Sequence, residues 1–450
     1  MNAAKTPMSS LLITHGQLVT LDESNRFIED GNIYVEGNQI IDVGEFAADK
    51  YRPQKTIDAR GCLVMPGLIN AHHHLYSTFA RGFTPPGPAP RNFAEILSGL
   101  WWKLDRALDA EDVYYSAMLA LMDAARAGCT TVIDHHSSPT CRDGSLDQIE
   151  QAFRDIGLSG CLCYEVSDRN QPGEGIDENE RYIRKCQDAE DGQMAALFGL
   201  HALLTLSNST LQRCADIGRG LETGFHVHAA EDQSDGNLTR ERYGQGIMER
   251  FQAFGITGPQ SLFVHGVHFS QQDMERLQAS RSLLVNSPES NLNNGVGITP
   301  VLELLERGVT VGLGTDGMSS HMISQARSLY QQQRGQHQNP AIAFAESCEI
   351  LLHNNRKIAN RLFREPRGRL AAGQLADIMI SEYQPFTPLN ADTFFGHLLF
   401  GLSFAQTRAT IARGRVVMED GQIPHVDEAS IRSHGLERAT AIWKRINAMS

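Results

Sequence analysis

The chain has 450 residues, of which 41% are hydrophobic and 21% charged, and a formal charge of −13. That length suits a large barrel with an accessory module better than one small domain. The acidic balance repels phosphate backbones and argues against a nucleic-acid partner, and no stretch approaches the ~18 uninterrupted apolar residues of a membrane span.

The N-terminal stretch MNAAKTPMSSLLITHGQ carries one lysine and only the short apolar run Leu11, Leu12, Ile13, so it lacks the hydrophobic region of a secretory signal. The eight cysteines are scattered, with no two pairs at zinc-ribbon spacing, and read as reduced core thiols. Together these features imply a cytoplasmic protein. From Leu11 to Val64, apolar and polar residues alternate around turn signals such as Gly37-Asn38, which predicts a small β-module over residues 1–65. After Pro66-Gly67, short apolar runs alternate with helical segments. The runs are LVMPGLINAHHH, TTVIDHH, GCLCYE, MAALFGLH, GFHVHAAE, SLFVHG, SLLVNS and VTVGLGTDG, eight strand candidates. Between them, Asp112 to Ala127 is an amphipathic helix stopping at Gly128, and 271–279 and 300–307 have apolar residues at three and four spacing.

Eight alternations predict an α/β protein with a (β/α)8 TIM-type barrel over 66–370. The β pattern returns near Gly373, in GQLADIMISEY and ATIARGRVVMEDGQI. Residues 371–425 are therefore expected to join the N-terminal segment in one small β-sandwich domain, with a helical tail over 426–450. The Pro/Gly-rich loop GFTPPGPAPRN, residues 82–92, is expected on the barrel's catalytic face, as a lid or part of the pocket.

Polar residues break these apolar runs at their C-terminal ends, where a barrel of this kind builds its site. His72 and His74 lie two apart in extended chain and share a side, while His73 faces away. Downstream stand His226, His228 and Glu231 in HVHAAE, His265 in FVHG and Asp316 in LGTDG. Imidazole and carboxylate are donors suited to zinc or a similar first-row divalent ion. A lone strand-end histidine is usually a hydrogen-bonded structural residue. Five histidines and an aspartate at the same end of different strands point instead to a metal, because burying so many ionisable groups without one is costly.

PGLINAHHHLYSTFARG resembles the first-strand motif of the amidohydrolase superfamily, and HVHAAE, FVHGVHFS, NSPESNLNNGVGITPV and LGTDGMSSH are similar to later motifs of its chlorohydrolase and aminohydrolase branch. The resemblance runs on to LAAGQLADIMI, and SGLWWKLDRALDAEDVYYSAM with AGCTTVIDHHSSP most resembles the SsnA group of aminohydrolases. It implies His72, His74, His228 and Asp316 as metal ligands, His265 orienting the attacking water, and Glu231 shuttling protons with help from Asp316. His201, in FGLHALLTLS, matches a histidine that touches substrate in several relatives, although Ala202-Leu203 replaces the proline that often follows there. Many relatives hold two metals bridged by a carbamylated lysine. Here no lysine lies between Lys185 and Lys357, which excludes that bridge and leaves one divalent ion, Zn2+ expected, with Fe2+ or Mn2+ also accepted by these donors.

The chemistry implied is attack of a metal-activated hydroxide on the amino-bearing carbon of a purine-, pterin-, pyrimidine- or triazine-like ring, with release of ammonia. Displacement of chloride or methylthio is the alternative; a non-catalytic assembly module is disfavoured because every ligand position is filled. Among further candidates, Trp102, beside Trp101, can stack on a planar ring or sit in the core. Arg81 can bind a carbonyl or carboxylate, or form a surface ion pair. Asn291, Asn294 and the segment Asp168 to Asn170 can line the pocket, with His135 and His136 behind it. The partners expected are a small heterocyclic substrate and water, with no nucleic acid and no membrane; homo-oligomer formation stays open.

Overall fold

The computed structural model describes residues 9–449, so residues 1–8 of the stretch read above for a leader, and Ser450 at the end of the tail, lie outside the described residues. Among the described residues no helix is long and apolar enough to cross a membrane.

Segments from both ends of the chain share one sheet. Its strands run in the order Arg415–Glu419, Gln406–Ala412, Ile378–Glu382, Cys62–Pro66, Ser10–Val19, Phe27–Glu36 and Gln39–Gly44, and Lys55–Asp58 also pairs with Ser10–Val19. The two ends meet where Ile378–Glu382 lies antiparallel to Cys62–Pro66, Ile380 opposite Val64. Alternate residues such as Leu11, Ile13, Ile33, Val35, Ile378 and Ile380 form a core of their own, the consequence of a period of two.

The run LVMPGLINAHHH, expected as one strand, is two. Cys62–Pro66 belongs to the terminal sheet and Leu68–His73 to a parallel one. Gly67 makes the crossing, since a β-carbon there would meet Thr130 Cγ2 at 2.2 Å; only glycine permits so close an approach.

Leu68–His73, Cys129–Asp134, Ser159–Leu162 and Met194–Ala196 form one parallel sheet, and Phe198–Leu200, Phe225–Ala229, Leu262–His265, Leu283–Asn286 and Val311–Leu313 a second. The sheets adjoin across Leu197, which interrupts a single stretch of chain. At the opposite edge the amides of Thr315 and Asp316 donate to His72 O at 2.9 and 3.0 Å. Helices separate most of these strands, so the molecule is a mixed α/β protein with strand and helix alternating as expected.

The helix read as Asp112 to Ala127 spans Ala110–Arg126, opened by a capping box between Asp109 and Asp112 and closed before Gly128, whose φ is +78°. Against it lies the C-terminal helix Glu428–Ala448. Arg438 reaches Asp109, Glu111 and Asp112, and Arg445 Nη2 reaches Asp112 Oδ2 at 2.5 Å. Residues 82–92 form neither helix nor strand and are largely exposed. The segment after them, Phe93–Ile96 through Trp102–Ala107, is what approaches the site.

Candidate active site

The polar residues that end the parallel strands converge. His74 Nδ1 donates to His135 O at 2.6 Å and His228 Nδ1 to His201 O at 2.9 Å. Each ring therefore presents a lone pair at Nε2, and the two Nε2 atoms face each other at 3.1 Å. Two lone pairs so placed could hold a metal ion between them. Burial pushes both imidazoles below their usual range, His228 well below it. His72 adds a third donor. Its Nε2 is buried without a hydrogen-bond partner, while its Nδ1 lies 2.9 Å from His226 Nε2, and His226 Nδ1 lies 3.5 Å from Cys163 Sγ. With protons running from His72 towards Cys163 along this relay, His72 Nε2 is a lone pair, and burial holds the ring neutral down to about pH 3. Asp316 Oδ1 stands 3.2 Å from His74 Nε2 and 3.7 Å from His72 Nε2. Three neutral imidazoles and a carboxylate are a donor set that fits one divalent ion.

Beside this group stand Glu231 and His265. Ala230, His265 and Asp316 all have φ in the left-handed region, at +52°, +75° and +55°, an uncommon conformation for non-glycine residues that turns the chain sharply at the ends of three strands. His265 Nδ1 donates to Asn291 Oδ1 at 2.9 Å, and Asn291 Nδ2 donates in turn to Asn286 Oδ1 at 3.1 Å, which fixes the amide's orientation. His265 Nε2 is left aimed at Glu231 Oε2, 3.4 Å away, and Asp316 Oδ2, 4.0 Å away. Ser290 Oγ donates to Asp316 Oδ2 at 2.5 Å, and Asn294 Nδ2 to Glu231 Oε1 at 3.4 Å. Burial, then the charge of Asp316, pushes the Glu231 carboxyl well above the usual carboxylate range.

These groups open into a cavity whose lining includes Phe93, Leu97, Trp101, Trp102 and Met318. Trp102 thus contributes to the wall, and His201 lines the cavity with its Nδ1 2.7 Å from Thr205 Oγ1. Asn294 lines it too. Asn291 lies behind His265, buried and away from the cavity surface, so it positions that ring instead of meeting a ligand. Arg81 is not brought to the site: its exposed guanidinium pairs with Asp123 at 2.8 Å. Asp168 faces elsewhere, accepting from the amides of Gly173 and Ser207 at 2.7 Å each. His73 turns away as expected, Nε2 3.4 Å from Ser320 Oγ. Two acidic lining residues, Asp105 and Glu165, escape the sequence reading. Glu165 ends the run GCLCYE as His74 ends its own, a signal that could have found it; Asp105 comes from the covering segment and had none.

A model of the amidohydrolase family matches residues 63–417. The chain belongs to the amidohydrolase family. It is a hydrolase acting on carbon–nitrogen bonds. This amidohydrolase is 29% identical to a 5-methylthioadenosine/S-adenosylhomocysteine deaminase of Pelotomaculum thermopropionicum, over 97% of this chain and 100% of that one. It is 27% identical to a 5'-deoxyadenosine deaminase of Methanosarcina barkeri, over 98% and 100%. In fold it is similar to an adenosine deaminase from Xanthomonas campestris solved with bound zinc, with a TM-score of 0.84 at 19% identity, over 96% and 98% of the two chains.

Proposed function

We propose that this amidohydrolase is a mononuclear metal-dependent aminohydrolase that removes a heterocyclic amino group as ammonia, with adenosine-like compounds as its substrate class. The observation that carries this is the opposed lone pairs of His74 and His228, 3.1 Å apart. His72, His74, His228 and Asp316 would hold the ion, zinc first, iron or manganese otherwise. When bound, it supplies Lewis acidity that lowers the pKa of water from ~15.7 towards ~7. The lysine-free span from Lys185 to Lys357 supports a single ion.

Around it the chain handles protons. Glu231 accepts the proton of the attacking water and returns it to a ring nitrogen of the substrate. His265, held by Asn291, orients that water through Nε2 and, with Asp316 Oδ2, passes a second proton to the departing amine. Chloride leaves without a proton, so a site furnished with this second carrier favours an amine. Trp102 and His201 are the substrate contacts in this proposal; Arg81 drops out.

We take the parallel strands as a (β/α)8 barrel over 66–370, and 1–65 with 371–425 as a β-sandwich domain, a view supported by the Thr315 and Asp316 amides on His72 O and by the likeness in fold. Eight free cysteines accord with the cytoplasm. The test is ammonia release by protein loaded with one equivalent of zinc, offered adenosine, 5'-methylthioadenosine, guanine, a pterin, cytosine and melamine. Turnover of the adenine nucleosides is expected; silence across the panel sinks the proposal.

A further inference from the structure

A charged cluster in the cavity wall takes no part in the proton transfers above. Asp105, on the helix Trp102–Ala107, and Glu165, just past the strand Ser159–Leu162, both line the cavity. Arg169 ties them together: Nη1 donates to Asp105 Oδ2 at 3.0 Å and Nη2 to Glu165 Oε1 at 2.7 Å. Its Nε donates to Ser167 Oγ at 3.0 Å, and its guanidinium lies 5.1 Å from the Trp102 ring centre. The guanidinium is thus engaged by partners on several sides. Arg169 does not line the cavity, and among the described residues neither does any other arginine or lysine.

The cavity is therefore lined there by two carboxyl-bearing residues and by no side-chain cation. Asp105 Oδ1 is buried without a hydrogen-bond partner, and a buried acceptor in that state calls for a donor. The charge of the cluster is bounded by its composition. A guanidinium this buried needs at least one ionised partner, so two carboxyls and one guanidinium give a cluster that is neutral or negative, never positive.

Resting on the aminohydrolase reading above, we propose that Asp105 and Glu165 select the substrate's second substituent by charge: a neutral hydroxyl-bearing arm or a cationic arm is taken, and a carboxylate-bearing arm is refused. A hydroxyl or ammonium is a donor matched to the carboxyl-bearing wall of Asp105 and Glu165. A carboxylate brings a third acidic group to a wall with no free cation, the like-charge juxtaposition by which binding sites reject wrong partners.

The test holds the ring constant and changes only the arm. Zinc-loaded protein is offered adenosine, 5'-amino-5'-deoxyadenosine and adenosine-5'-carboxylate, with turnover followed as ammonia and binding by calorimetry. The carboxylate is expected to fall about 100-fold below adenosine in kcat/KM, and the amine to equal or exceed adenosine. Glu165→Gln and Asp105→Asn, made separately, are each expected to narrow the carboxylate's deficit about tenfold. A carboxylate handled as well as adenosine by the unaltered protein overturns the proposal, whether or not the variants fold. So does a deficit that both folded, zinc-loaded variants leave unchanged. Binding in the expected order without ammonia release overturns the aminohydrolase reading and upholds the charge selection. No binding of any of the three overturns both.

Discussion

Each imidazole proposed to hold the ion is oriented from behind: His74 by His135 O, His228 by His201 O, His72 by His226. Such supports fix the tautomer and so the lone pair. His74→Ala removes one of the opposed Nε2 atoms and is expected to lower metal retention at least about tenfold, read by elemental analysis after gel filtration. Glu231→Gln keeps size and hydrogen bonding but not proton exchange. It should lower kcat by about 10²–10⁴ with metal content unchanged. Asn291→Ala frees His265 to rotate and should cost about 10–100-fold in kcat, with KM moving less. The histidines and Asp316 are legible because each interrupts an apolar strand at the same end. Asn291 and Ser290 are not, since their role depends on which neighbouring strand end they meet.

Among the elements, the C-terminal helix Glu428–Ala448 is fastened to Ala110–Arg126 through Asp112, whose side chain is fully buried while it bonds Arg438 and Arg445. Asp112→Ala removes half of a capping box and leaves two guanidinium groups without that partner. A loss of about 2–4 kcal/mol is expected in urea unfolding. The same C-terminal helix reaches the turn after His74, where Trp443 Nε1 donates to Phe79 O at 2.7 Å, so the loss should be felt near the site.

Asp168 gives a pH signature. Burial acts upward on it, but its hydrogen bonds from Thr210, Ser207 and Gly173 win and lower its pKa. A lowered native value contributes stability above the unfolded pKa, ~3.9, and loses it as pH falls through the native value. Asp168→Asn should thus be less stable than the parent by about 1 kcal/mol at neutral pH, the gap closing below about pH 4 in parallel urea melts. The end of the helix Ala110–Arg126 is legible from Gly128, whereas its start, capped by Asp109, lies two residues before the Asp112 read from the sequence. The change of pattern at Pro66-Gly67 is legible too, but the split of LVMPGLINAHHH into two strands is not, because the apolar run continues across Gly67 while the chain changes sheets; only the tight contact with Thr130 demands it.

On the scale of the molecule, segments at both ends of the sequence close one sheet through Ile378–Glu382 beside Cys62–Pro66. The parallel strands start directly from it at Leu68. Short apolar runs ended by polar residues made this alternation readable, whereas in the covering segment Phe93–Ala107, which carried no such pattern, only Trp102 and its neighbour Trp101 stood out and Asp105 was hidden. The proposed ion sits where strands from both parallel sheets meet, so chelation is expected to lower the midpoint of thermal unfolding by several degrees, on the order of the 4 kcal/mol that a tightly held ligand contributes. The decisive observation is ammonia release from adenosine or 5'-methylthioadenosine as a function of zinc bound per chain. Activity rising linearly and levelling at one zinc is the expected result; full activity in chelated, metal-free protein, or saturation only at two, would contradict it.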